Sequence, residues 1–295
     1  MIERLVCHPS ERRAAILDVI GGARRELVLS VFRCDDFKIL DALAAAVQRG
    51  VRVRTLLTPT AKNWDKRLQQ LGVFLESMGA DVHRYSGART KYHAKYIVAD
   101  DGPALIASLN FTRKCFERTC DFLVVTGDAG VIQGLRELFA MDCDAPDSPI
   151  PAGIPETLLV GPEMARARFR EILCAARSRI RIIDHRLSDP EFVALLRDRQ
   201  TAGVSVQVLG SGDVAGLQSH GKLLLVDDAT AVFGSISLSP PALNWRREVA
   251  AVVRDPANIA ALHRFFESHG TAGGGLNEWS VPQRVGGEDD DEDND

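Results

Sequence analysis

The stretches H-A-K-Y-I-V-A-D at residues 93–100 and H-G-K-L-L-L-V-D at residues 220–227 decide the fold. Both read H-x-K-x4-D. At average residue usage, one such match arises by chance on the order of once per hundred chains of this length. Two matches followed by equal spacings point to a duplication. An offset of 127 residues relates His93 to His220, Ser108 to Ser235, Asp121 to Glu248, Ile132 to Ile259 and Phe139 to Phe266. Upstream the offset is 153, as between Val51 and Val204. The difference of 26 residues predicts an extra segment in the first half, between its second strand and His93. A helix at 64–79 fills it.

Periodicity outward from the motifs gives the elements. In the first half, helices are expected at 9–23 (Ser10 as N-cap), 37–49 and 128–141, with strands at 26–32, 51–57, 93–99, 103–108 and 121–126. The second half repeats the order, with helices at 162–177, 190–202 and 255–268 and strands at 179–184, 204–209, 222–226, 230–235 and 248–253. The branched, apolar strands suit sheets covered on both faces. The expected fold is α/β: two repeated α-β-α halves with mixed sheets, packed about a pseudo-twofold axis. The halves are 1–144 and 155–270. They are joined by a linker at 145–154 whose three prolines disfavour helix and strand. A Gly-rich and acidic tail occupies 271–295.

On a strand, residues i and i+2 face the same side, so His93 points with Lys95 and His220 with Lys222. Asp100 and Asp227, five residues beyond each lysine, fall on the opposite face and are expected to support the fold through hydrogen bonds.

These paired motifs resemble the phospholipase D superfamily, and through the repeat the resemblance extends over most of residues 1–270. In that family the His-Lys-Asp motif is followed by Gly-Ser-x-Asn and then a carboxylate. Here the first copy has Ala107, Ser108 and Asn110, then Asp121; the second has Gly234, Ser235 and Ser237, then Glu248. The departures are Ala107 and Ser237, and neither removes a reacting group. The resemblance implies a phosphodiesterase with Ser108, Asn110, Ser235 and Ser237 binding substrate, Asn110 more than Ser237. It also implies His93 as nucleophile and His220 as acid/base.

The chemistry of the residues agrees. Cleaving a phosphodiester takes a nucleophile at phosphorus and a proton for the departing alkoxide, and two imidazoles supply both near neutral pH. One forms a phosphohistidine; Lys95 and Lys222 hold the non-bridging oxygens. Each imidazole needs a partner on its other nitrogen, and Asp121 and Glu248 are the matched candidates, with the pairing open. No cluster of acidic residues surrounds the motifs, so the site is expected to need no metal and no cofactor. Arg89, Lys91 and Tyr92 form an anionic entrance or a solvated loop. Trp245 and Asn244 lie on the rim or pack. Trp64, with Lys62, Lys66 and Arg67, shapes the entrance from the insert.

The 295 residues, 45% hydrophobic and 26% charged, exclude disorder, fibre and a disulfide-dense mini-scaffold. No apolar run approaches a membrane span, and the N-terminus lacks the layout of a signal peptide. The expectation is therefore a cytoplasmic protein with its six cysteines as free thiols, peripheral to a membrane at most. The net charge of −4 comes from EDDDEDND at 288–295, whose seven acids leave +3 on the remainder; this run reads as a disordered, solubilising tail or a cover for a basic surface. A mildly basic body with fused tandem copies favours a phospholipid substrate, with hydrolysis or phosphatidyl transfer by a monomer. A metal-independent nuclease is the alternative, and a binding protein with an unused site is a third reading.

Overall fold

The structure, a computed structural model, describes residues 2–210, 213–214 and 216–269. The acidic and Gly-rich tail lies outside them. Each half builds one sheet. The first runs in the order Ile2–Val6, Leu123–Thr126, Ala104–Ala107, Tyr96–Ala99, Glu26–Val31, Arg52–Leu57, Asp81–Arg84. The second runs Leu158–Gly161, Arg246–Val253, Thr230–Gly234, Lys222–Val226, Arg179–Ile183, Ser205–Leu209. In both, the strand after the first helix pairs in parallel with the next strand and antiparallel with the motif strand. The mixed sheets and the α/β class are as expected.

Helices cover both faces. Pro9–Gly22 and Phe37–Gln48 bury Ile16, Ile20, Ile39 and Leu43 on the outer face of the first sheet. Ala165–Cys174 and Pro190–Thr201 do the same on the second with Phe169, Leu173, Phe192 and Leu196. Between the sheets lie Ala129–Asp144 and Pro256–His269. Their Leu138, Phe139, Leu262 and Phe266 join Val98, Val124, Leu225 and Phe233 in one buried cluster drawn from both halves. At roughly 1.5–3 kcal/mol per fully buried large apolar side chain, this shared layer holds the halves together.

The twofold relation is visible at the seam. Lys91–Tyr92, just before His93, pairs in parallel with Arg246–Arg247, just before Glu248. Gln218–Ser219, just before His220, pairs in parallel with Thr119–Cys120, just before Asp121. The histidine-bearing segment of each half therefore lies against the carboxylate-bearing segment of the other. His93 N–H donates to Arg247 O at 2.9 Å and Gly221 N–H to Cys120 O at 2.6 Å. At Gly221 a Cβ would stand 2.7 Å from Cys120 O, so glycine suits the motif there.

Some elements depart from the expectation. The strands Ile2–Val6 and Leu158–Gly161 edge the two sheets at equivalent places, pairing antiparallel with Leu123–Thr126 and Arg246–Val253. Each is short, and its pattern is hidden by charge or by the adjacent linker. The 26-residue insert supplies an edge strand, Asp81–Arg84, besides its helix Asp65–Ser77. The first helix starts at Pro9 with His8, not Ser10, as N-cap; the Ser10 hydroxyl lies 2.8 Å from His8 Nδ1. A proline needs no N–H partner in the first turn, so the helix can begin before the serine. His93 and Lys95 lie between Lys91–Tyr92 and Tyr96–Ala99, where the chain passes from one sheet to the other.

Candidate active site

The crossed seam pairs four residues across the two halves. His220 Nδ1 lies 2.9 and 3.0 Å from the two carboxylate oxygens of Asp121. His93 Nδ1 contacts Glu248 Oε1. Each carboxylate thus backs the histidine of the opposite half, a pairing that the sequence leaves open. All four residues are buried.

Asp121 is held from several sides. Ser108 Oγ donates to it at 2.6 Å and Thr119 Oγ1 at 2.5 Å. The buried Arg12 guanidinium donates to the carbonyls of Cys115, Thr119 and Asp121 at 3.0, 2.6 and 2.8 Å. Burial alone would raise the Asp121 carboxyl. The charge and hydrogen bond of His220, with Arg12 and Ser108, outweigh burial and hold it well below its ordinary value of 3.8.

Lys95 Nζ lies 3.0 Å from His93 Nε2, 2.8 Å from His93 O and 4.8 Å from the Phe32 ring centroid. An ammonium only donates, so this contact places the lone pair on Nε2 and the imidazole proton on Nδ1, against Glu248. Phe32 meets His93 edge-on at 4.5 Å. Its counterpart at offset 153 is His185, which stacks on His220 at 5.9 Å. Lys222 has the buried Asp184 beside it. Burial raises the Asp184 carboxyl against the pull of the Leu238 N–H and Lys222.

Among the remaining expected residues, Ser108 and Ser235 have their hydroxyls engaged inside the protein. Ser108 serves Asp121, and Ser235 Oγ donates to Val249 O at 3.2 Å. That geometry makes them props of the carboxylate strands. Ser237 Oγ lies 2.7 Å from Ser239 Oγ. Asn110 is buried in the turn before the short helix Arg113–Glu117. Asp100 accepts from the N–H groups of Arg24, Arg25 and Glu26, and Asp227 from those of Arg177, Ser178 and Arg179. Both tie the end of the motif strand to the start of the neighbouring strand.

His93 opens on a cleft of about 380 Å³ lined also by Phe32, Thr58, Arg89, Lys91, Trp245 and Arg246. Arg89 and Lys91 therefore stand at the entrance. Tyr92 is core, its hydroxyl donating to Ser30 Oγ at 2.8 Å. Asn244 turns away, with its Oδ1 accepting from Arg166 at 2.9 Å. Trp64 is buried beside Phe32, Ala61 and Leu68, between the guanidinium groups of Arg33 and Arg67; it backs the wall behind His93. Sequence reading misses Phe32, His185, Arg246 and Arg12. The 153-residue offset was the signal for the first two, and a charged residue at a core position of an amphipathic helix was the signal for Arg12.

Residues 16–143 match the family described as cardiolipin synthase, PLD-like domain. Among solved structures, the polyphosphate kinase of Porphyromonas gingivalis aligns at a TM-score of 0.70 and 18% identity, over 90% of this chain and 46% of that one. The phosphatidylserine synthase of Haemophilus influenzae Rd KW20 aligns at 0.67 and 13%, over 94% of this chain and 88% of that one. The chain thus spans under half of the kinase and most of the synthase. No curated protein matches it. Residues 16–143 are thus similar in sequence to the phospholipase D-like domain of cardiolipin synthase, and the fold of both halves is that of these two solved structures.

Proposed function

We propose that the protein is a phosphodiesterase of the phospholipase D type that hydrolyses or transfers the phosphatidyl group of a phospholipid. The observation that carries this reading is the pair of crossed His–carboxylate contacts, with Lys95 on His93 and His93 opening on a basic cleft. His93 Nε2 attacks phosphorus while Glu248 takes the hydrogen bond from Nδ1. The P–O bond to the head group breaks, and His220 Nε2–H protonates the departing oxygen. His220 then removes a proton from water or an alcohol. The oxygen so activated displaces His93 from phosphorus and restores both imidazoles. Lys95 and Lys222 compensate the charge on the non-bridging oxygens. Ser108 and Ser235 act by fixing the carboxylate strands, and Asn110 and Ser237 are the nearer candidates for phosphate contact. The likeness to the cardiolipin synthase domain and to a phosphatidylserine synthase favours a lipid substrate. No helix among the described residues is long and apolar enough to cross a membrane.

A nuclease using the same histidines is the second reading. It is favoured by Arg89, Lys91 and Arg246 beside the half-exposed Trp245, cations next to a stacking surface. Both readings are tested by incubating the protein with EDTA and mixed phospholipid vesicles, single-stranded DNA or duplex DNA. Phosphatidic acid or a new phosphatidyl-alcohol is the expected product. DNA cleavage without lipid turnover replaces the first reading with the second. No turnover by wild type beyond that of His93→Ala overturns both.

A further inference from the structure

The two His–carboxylate pairs differ in what stands behind them. Behind His220 and Asp121 lies Cys115, in the short helix Arg113–Glu117. One donor atom from each of Cys115, Asp121 and His220 lies within 4.8 Å of the other two, and all three residues are buried. At offset 127 the second half has Ala242 where the first has Cys115, so the pair His93–Glu248 has no thiol in that place. Cys115 is also fixed in position. Its N–H donates to Thr112 Oγ1 at 3.3 Å, and its carbonyl accepts from Arg12 at 3.0 Å.

We propose that Cys115, Asp121 and His220 form an inhibitory site for a soft divalent cation of the zinc type. Thiolate, imidazole and carboxylate are ligands that Zn²⁺ accepts together, at roughly 2.0–2.3 Å each. Donor atoms around such an ion stand roughly 3.3–3.8 Å apart, so the cluster has to close by about an ångström from its present spacing of at most 4.8 Å. The charges balance: one thiolate and one carboxylate neutralise the ion, and the imidazole stays neutral. On binding, the thiol releases its proton to solvent and the sulfur–metal bond forms. The ion takes His220 Nδ1, whose proton passes to Nε2 from a neutral ring or to solvent from an imidazolium. A proton stays on Nε2, where a metal-bound neutral imidazole neither accepts a proton nor readily gives one up. His220 is thereby held in a form that serves neither half of the reaction. This consequence for turnover rests on the proposed phosphodiesterase reading; the binding does not.

The test therefore reads binding first and uses no substrate. Metal-free full-length protein is titrated with Co²⁺, following the thiolate-to-cobalt charge-transfer band, and with Zn²⁺ in a calorimeter. The expected result is one saturable site with a thiolate band. Cys115→Ser is expected to lose the band and bind Zn²⁺ roughly tenfold or more weakly, while Cys174→Ser, at an exposed thiol, keeps both. Absence of saturable binding, a band that survives Cys115→Ser, or one lost in Cys174→Ser overturns the proposal. Should Cys115→Ser not fold, ring ¹⁵N spectra of the unaltered protein decide. One Zn²⁺ should convert a single histidine to an Nδ1-bound, Nε2–H form; ligation through Nε2, or at several histidines, overturns the proposal. With a phosphodiester substrate, Zn²⁺ should then slow turnover and EDTA restore it. Binding without inhibition separates failure of the functional reading from failure of the site.

Discussion

Asp121 and Glu248 occupy equivalent positions, yet their surroundings differ. Asp121 accepts from Ser108, Thr119 and His220 at once. Glu248 uses Oε1 for His93, and its Oε2 is buried with no hydrogen-bond partner among the described residues. An amide in place of either carboxylate presents a donor to Nδ1 and favours the wrong tautomer, and its neutral oxygen stabilises an imidazolium less than a carboxylate does. Glu248→Gln and Asp121→Asn should each lower kcat on the order of 10³–10⁴-fold, the scale seen when a His-orienting carboxylate becomes an amide. Their stabilities should separate. Asp121→Asn sets its NH₂ against one of three donors and should cost about 2 kcal/mol. In Glu248→Gln the NH₂ meets only His93 Nδ1, which accepts once its proton moves to Nε2, and the C=O takes the place of Oε2, so the cost should be smaller. Single-turnover kinetics and urea unfolding on both variants check the pair of expectations; equal loss of stability would contradict the difference in support.

The motif strands end in a conserved geometry within the chain, the same at Asp100 and Asp227. Both adopt positive φ, 47° and 52°, and both carboxylates accept three successive N–H groups at the start of the adjacent strand. Burial would raise the Asp227 carboxyl, but the N–H groups of Arg179, Ser178 and Arg177 and the Ser178 hydroxyl outweigh it and bring it to about 2 from 3.8. The folded state therefore binds its proton more weakly than the unfolded chain. The resulting stability is present above the unfolded value and lost as pH falls from about 4 towards about 2. Asp227→Asn should lower the urea midpoint at about pH 7 and leave it closer to wild type at about pH 2.5, where the carboxyl of the unfolded chain is largely protonated and most of the contribution is gone. An equal deficit at both pH values would rule out the linkage. The role of these strand-end aspartates was legible from their distance beyond each lysine, because alternation along a strand is a local rule. The duplication, the strand order around the motifs and the residues of the histidine–carboxylate pairs were legible too. Their crossing was not, because it depends on Lys91–Tyr92 and Gln218–Ser219 pairing with strands more than 90 residues away in sequence. Nor was the engagement of Ser108 and Ser235, since a hydroxyl on a strand reads the same whether it meets a ligand or the next strand.

At the scale of the whole molecule, the crossing makes the halves interdependent. The first half alone would carry His93 without Glu248 and Asp121 without His220. The two central helices bury one apolar cluster drawn from both halves, which fixes the distance across the seam. Fusion in one chain makes the two halves available to each other at high effective concentration, so a single chain can complete the site. Mixing the inactive variants His93→Ala and His220→Ala is the corresponding experiment, with phosphodiester turnover as the readout and sedimentation recording oligomeric state. If each chain closes its own seam, every molecule in the mixture lacks one histidine and the mixture stays as inactive as its components. If the halves were exchanged between chains, a mixed dimer would unite an intact His93 with an intact His220 in one of its two sites, and activity would return in step with the dimer population. The shared core makes exchange costly, since opening the seam exposes Val98, Leu138, Leu225, Phe233 and Phe266 together. No recovery is therefore the expected outcome, and recovery after brief mixing under native conditions would mean that the seam lies between molecules.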